Sequence, residues 1–207
     1  MTSPADRARQ IVAADPAFSS LVALIGPPPA RRAAPVDQRF AAVISSITSQ
    51  LLATSAASTI HARVIDVCGG EVTPESLLRA GEEQLKAAGL NRSKASAMVA
   101  LAEAVTEKSV TVASHGRRSN EDITAELVRI KGIGPWTVQM YLMHTLGRHD
   151  VWPVGDYGVR MGWSLVHGLD ETITERALRS YGDLFESNQS SVAWYCWQEV
   201  HRVRSAK

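Results

Sequence analysis

Residues 130–140 read IKGIGPWTVQM, and this punctuation constrains the fold more than any other stretch of the chain. Gly132, Gly134 and Pro135 cannot share a helix interior, because each glycine costs about 1 kcal/mol and proline about 3 kcal/mol against alanine. On both sides, however, the apolar spacing is helical: Ile123, Leu127 and Ile130 before the glycines, Val138, Tyr141 and Leu142 after them. The stretch is therefore expected to be a tight turn between two helices, with Gly132 and Gly134 supplying unusual backbone angles and Pro135 at the first position of the second helix. The same residues have a chemical use. Glycines let a phosphate approach the backbone, and a helix N-terminus offers free N–H groups and the positive end of a dipole. A plain αα-turn would use the same G-x-G, so the choice between the two rests on the neighbouring residues.

Helical periodicity runs through the rest of the chain. Phe40, Val43, Ile44, Ile47 and Leu51 fall at i, i+3, i+4, i+7 and i+11, one apolar face of about four turns that breaks around Thr54. Ala57, Ile60, Val64 and Val67 carry a second helix, stopped by Gly69 and Gly70. Thr73 and Pro74 read as the cap and first residue of a short helix bearing Leu77 and Leu78, and another runs from near Glu82 to Gly89. Residues 92–107 give a longer helix with Ala95, Met98, Leu101 and Val105 on one side, and SVTVASHGRRSN reads as a loop. Beyond the hairpin, GRHDVWPVG is a loop, a helix starts near Asp156, Thr172 and Glu175 form a capping box for the next, and Val192 to Val203 carries Trp194, Tyr195 and Trp197. Roughly ten helices without a strand hairpin make the fold class all-α, bundle-like with short connections, in one unit spanning residues 1–207.

A chain of 207 residues, 45% apolar and 21% charged, can bury its own core and is neither disordered nor fibrous. Its formal charge of +1 creates no global field for a polyanion, so nucleic acid would have to be held by local patches. Arg31 with Arg32, Arg117 with Arg118, and His201, Arg202, Arg204 and Lys207 are candidate clusters, although such groups more often form a solvated face. Cys68 and Cys196 lack C-x-x-C spacing and suggest two reduced, buried thiols rather than a zinc, iron–sulfur or disulfide framework. His61, His144, His149 and His167 show no metal-binding spacing. MTSPADRARQ has no apolar run and no window approaches about 18 apolar residues, so neither a signal peptide nor a membrane span is expected and the expected compartment is the cytoplasm.

Twenty residues beyond Trp136 stands Asp156, at the expected start of a helix, where aspartate is a preferred cap. In motif and spacing together, LVRIKGIGPWTVQM and DVWPVGDYGVR resemble the helix-hairpin-helix DNA glycosylases, most closely the bacterial 3-methyladenine DNA glycosylase II type. FAAVISSITSQLLATSAASTIHARV resembles the helix, wedge loop and helix of that family, and with SVAWYCWQEV the resemblance covers roughly residues 15–205.

The resemblance implies two helical lobes flanking a cleft for DNA and a flipped base, with the hairpin at about 123–146 and without the additional N-terminal β-domain of a longer relative. It makes Asp156 the catalytic carboxylate, Leu51 the wedge that fills the hole left by the extruded nucleotide, Gly132 and Gly134 the phosphate-binding glycines, and Trp136, Met140, Tyr157 and Trp197 the base pocket, whereas Trp163 and Trp194 read as core. The family's hairpin cation, K+ or Na+, would be held by the backbone carbonyls of Val128, Ile130 and Ile133. Trp136 stands where strand-cutting members carry lysine, which implies a monofunctional enzyme. Gln189 stands where many relatives have arginine and Met140 where one has a pocket tyrosine. The implied activity is removal of alkylated bases, of the 3-methyladenine and 7-methylguanine type, from double-stranded DNA by base flipping, leaving an abasic site for base excision repair. It needs no cofactor for the chemistry and is expected of a monomer, nucleoid-associated if bacterial. The alternatives are a glycosylase for hypoxanthine, uracil or an oxidised purine, and a non-catalytic DNA-binding module in which Asp156 is only a cap.

Overall fold

The structure is a computed structural model that describes residues 2–52 and 54–206, so Lys207 of the basic tail lies outside the described residues. Every regular element among them is helical. Two compact units are formed, one from Met1–Arg32 together with Gly147–Lys207, the other from Ala33–Leu146. The first holds α1 (Pro4–Ala14) and α2 (Ser19–Ile25); the second holds α3 (Arg39–Thr48), α4 (Thr54–Val67), α5 (Pro74–Ala87), α6 (Arg92–Thr106), α7 (Asn120–Leu127) and α8 (Pro135–His144); the chain then returns to the first with α9 (Tyr157–Val166), α10 (Glu175–Arg179) and α11 (Gln189–Ser205).

In the Ala33–Leu146 unit, the apolar faces expected from the sequence are buried: Phe40, Val43, Ile44 and Ile47 of α3, Ala95, Met98 and Leu101 of α6, and Val138, Tyr141 and Leu142 of α8. Leu51 corrects the expectation for α3. The helix stops at Thr48, short of Leu51, whose backbone is left-handed with φ 55°. The physical reason is local: Ser46, Thr48 and Ser49 each turn their hydroxyl back onto the carbonyl four residues earlier, at 3.0, 2.9 and 2.9 Å, which loosens the last turn. Gly81, at φ 67°, divides α5 into the two short pieces expected. SVTVASHGRRSN is less irregular than expected, because Val112–Arg117 winds into a 3-10 turn around the fully buried His115. The ring of His115 spans Tyr141 OH (3.1 Å) and Glu126 (2.9 Å), and Arg118 pairs with that same carboxylate. Arg118 thus serves the core of this unit.

In the other unit, α1 was not expected from the sequence, yet Ser3 caps it in a box with Asp6 and Pro4 opens it. The cap of α10 is Thr174, which accepts from Ala177 N–H, and this corrects the expected Thr172. Ile173 explains the shift: its N–H donates to Ser164 Oγ at 2.8 Å and its carbonyl accepts from Arg160 at 3.2 Å, keeping the chain extended until the next residue. The core is aromatic. Trp163, Phe18 and Phe185 are buried, and Trp163 meets the other two edge-on at 5.7 and 5.9 Å between ring centres, arrangements worth about 0.5–1.5 kcal/mol beyond burial. Trp194 is only half-buried, against Tyr195. Arg202 of the tail cluster forms two 2.7 Å bonds to Glu199, and Arg31 donates to the Ser190 carbonyl, so both basic clusters are partly engaged inside this unit.

Candidate active site

Asp156 caps α9, and its Oδ1 accepts from Val159 N–H at 2.8 Å, as expected for an aspartate at that position. The same oxygen accepts a second hydrogen bond, 3.0 Å long, from the indole Nε1–H of Trp197 on α11. Two donors on one oxygen hold the carboxylate in place at the start of α9. Tight spacing makes this contact possible. A Cβ on Gly158 would lie 3.0 Å from Trp197 Cδ1 and 3.1 Å from Asp156 Oδ1, so a side chain there would press between the indole and the carboxylate. One turn on, Gly162 lets α9 lie against the backbone of α11 at Cys196. Burial, with the charge of Asp156 added to it, pushes the Cys196 thiol well above its ordinary range, so it stays protonated and inert. Beside this pair Tyr157 is 58% exposed, with Arg160 over its ring at 5.6 Å.

The remaining candidates lie in the Ala33–Leu146 unit. Gly132 has φ 97°, and a Cβ there would meet Ala97 Cβ at 2.7 Å, so both angle and space demand glycine. Gly134 corrects the expectation of unusual angles at both glycines, since its φ of −99° and ψ of 172° are ordinary extended values. Nothing within 4 Å would meet a Cβ on Gly134, so its want of a side chain leaves open space at the start of α8. Gly134 caps α8 without a side-chain hydrogen bond, as a turn suited to an external anion would. Trp136, half-buried, and Met140, buried, sit on α8, and Met140 is therefore largely a core side chain.

Val128, Ile130 and Ile133 follow α7 and lead into the hairpin; the carbonyl of Ile130 accepts from Ile133 N–H at 3.0 Å. Leu51 is 103% exposed. Its left-handed backbone costs a leucine roughly 1–2 kcal/mol, so its neighbours must hold it there. Gln50 and Lys94, absent from the sequence-based candidates, are those neighbours. Gln50 Nε2 donates to Gly132 O (3.0 Å) and Thr137 Oγ1 (2.7 Å), while Lys94 Nζ donates to Thr48 O (2.8 Å) and Gln50 O (2.6 Å). The signal for Lys94 was a lysine on the apolar side of α6, one position before Ala95; Gln50 carried none. Among the described residues no three His, Cys, Asp or Glu side chains gather in a way that could hold a metal ion, and no helix is long and apolar enough to cross a membrane.

The sequence and the fold have known counterparts. The chain is 29% identical over 187 residues to DNA-3-methyladenine glycosylase 1 of Schizosaccharomyces pombe, a match covering 89% of this chain and 82% of that protein. Its fold is similar to the structure of a Schizosaccharomyces pombe 3-methyladenine DNA glycosylase in complex with abasic DNA, with TM-score 0.86 and 29% identity over 93% of this chain and 95% of that one. It is likewise similar to a DNA-3-methyladenine glycosidase from Bacillus halodurans, with TM-score 0.81 and 28% identity over 99% and 94% of the two chains. Residues 44–186, which include the Leu51 loop, the hairpin and Asp156, match the model of the HhH-GPD superfamily base excision DNA repair proteins, and the chain belongs to that family.

Proposed function

We propose that the protein is a monofunctional DNA N-glycosylase of the 3-methyladenine glycosylase II type, which releases alkylated bases from duplex DNA and leaves an abasic site. The observation that carries the reading is the carboxylate of Asp156, oriented by Val159 N–H and the Trp197 indole. When the C1′–N bond of a flipped nucleotide breaks, its electron pair leaves with the base and positive charge develops on the sugar. A fixed carboxylate stabilises that charge, and as water adds to C1′ it takes up the proton that water loses. An alkylated purine such as 3-methyladenine or 7-methylguanine is cationic and leaves as a neutral base. An indole face attracts a cationic ring by about 0.5–2 kcal/mol, and the half-buried Trp197 holds its indole beside Asp156.

On this reading Leu51 fills the stack after flipping, and Gly134 with the first turn of α8 receives a phosphate. The carbonyls of Val128, Ile130 and Ile133 suit a monovalent cation. They are neutral oxygen donors in one turn, and the Ile130 oxygen keeps a second lone pair beside its bond to Ile133. Such a cation would add positive charge behind the hairpin. The protein would act as a monomer on damaged DNA in the cytoplasm, at the nucleoid in a bacterial cell.

Duplex DNA carrying 3-methyladenine, 7-methylguanine, hypoxanthine or uracil, incubated with the protein, is expected to lose the alkylated bases first. The strand should stay uncut, and borohydride should trap no protein–DNA adduct, since Trp136 supplies no amine for an imine. A trapped adduct would overturn the monofunctional assignment, and release of uracil alone would overturn the substrate class. At the hairpin, Gly134→Val should fold and melt within a few degrees of wild type, because the backbone angles are ordinary and a Cβ meets open space, the small loss coming from valine being a poorer helix cap. Affinity for damaged and undamaged duplex should fall alike, by about tenfold. Unaltered affinity for both would reduce the hairpin to a turn.

A further inference from the structure

We infer that Gln50 and Lys94 are positioning residues that clamp the Leu51 loop to the Gly132 hairpin, so that wedge and phosphate-binding turn move as one body. The inference rests on the proposed roles of Leu51 and the hairpin, but its geometry stands by itself. Lys94 is only 8% exposed, yet its ammonium group spends its bonds on Thr48 O and Gln50 O, the carbonyls on either side of the point where the chain leaves α3. A cation at that place satisfies carbonyls that the helix end leaves open and complements the negative end of its dipole. It also fixes the backbone immediately before Leu51.

The side chain of Gln50 turns the other way and spans Gly132 O and Thr137 Oγ1, on the two sides of the hairpin. Both halves of the clamp rest on α6. Lys94 reaches up from it, and Ala97, three residues on, packs so close to the hairpin that a Cβ on Gly132 would meet its Cβ at 2.7 Å. A leucine in a left-handed conformation and fully exposed does not hold that pose unaided; Leu52 N–H donates to Ser49 O at 3.3 Å across it, and these four side-chain hydrogen bonds tie that turn to α6 and the hairpin. In DNA, the distance between the phosphate held at the hairpin and the gap filled by Leu51 would then be set before binding, as preorganisation requires.

The test uses the whole protein with Lys94→Met, Gln50→Ala and Leu51→Ala. Amide hydrogen exchange at residues 49–52 reads the clamp without reference to activity, and is expected to speed up about tenfold in Lys94→Met and in Gln50→Ala. In single-turnover release of 3-methyladenine from duplex DNA, each should be about tenfold slower than wild type. Adding Leu51→Ala to either should cost little beyond Leu51→Ala alone, because a loosened wedge and an absent one fail in the same step. Unchanged exchange, or effects that multiply with Leu51→Ala, would overturn the clamp. If Lys94→Met does not fold, Gln50→Ala, on a half-buried surface side chain, carries the same comparison. If the wild type released no base from any substrate, the glycosylase reading would fall, while the exchange measurement would still decide the clamp.

Discussion

Asp156→Asn is expected to keep the fold and duplex affinity while losing base release by about 10²-fold or more, the effect typical of removing one preorganised charge-stabilising group. Asparagine can keep both hydrogen bonds that reach Oδ1. Both hydrogen bonds from Val159 N–H and Trp197 Nε1 land on Oδ1, and an asparagine whose carbonyl oxygen takes that place keeps the helix cap and the indole contact. Only the other oxygen changes, to an amide, and with it goes the negative charge that an oxocarbenium-like sugar and the attacking water need. Single-turnover release of 3-methyladenine, the melting temperature and the affinity for duplex DNA should be compared in the two proteins. Unchanged release in a folded variant would sink the catalytic role of Asp156. Lost release with retained affinity would remove the reading of the protein as a binding module alone.

What could be read beforehand was what neighbours in sequence decide. Pro135 and Asp156 start helices where turn and cap chemistry place them, and Gly81 breaks α5 where an apolar pattern paused. The Ser3–Asp6 box was equally local and could have revealed α1. Contacts between distant segments were not legible. The apolar period carried Leu51 onto the face of α3, because periodicity is blind to side chains that bond back to their own helix and to the Lys94 ammonium that arrives from α6. The bond between Asp156 and Trp197 joins residues 41 apart, and its existence depends on how closely two helices approach. That distance is fixed by what is missing from α9, namely the side chains of Gly158 and Gly162.

Those two glycines, four apart on one face of α9, should therefore fail in different ways when replaced by alanine. At Gly162 the new Cβ would lie 2.0 Å from the carbonyl oxygen of Cys196, 2.4 Å from its carbon and 2.6 Å from its Cα. These are backbone atoms of a long helix, and no rotamer change relieves them. α9 and α11 would have to separate by more than 1 Å, opening the aromatic core around Trp163, which overpacking costs put at about 3 kcal/mol or more. For a chain of this size such a loss lowers the melting temperature by roughly 6–12 °C. At Gly158 the contacts are 3.0 to 3.2 Å and all to side-chain atoms of Trp197 and Asp156. Those atoms can yield by a few tenths of an ångström, so Gly158→Ala should melt within about 3 °C of wild type. The yielding, however, is borne by the indole–carboxylate pair, and release of 3-methyladenine should slow by about tenfold with little change in duplex affinity. Thermal melting and single-turnover release of both variants check the contrast. A Gly162→Ala protein as stable as wild type would mean that α9 and α11 do not touch through this glycine, and a Gly158→Ala protein with full activity would mean that the bond from Trp197 does not set the working position of Asp156.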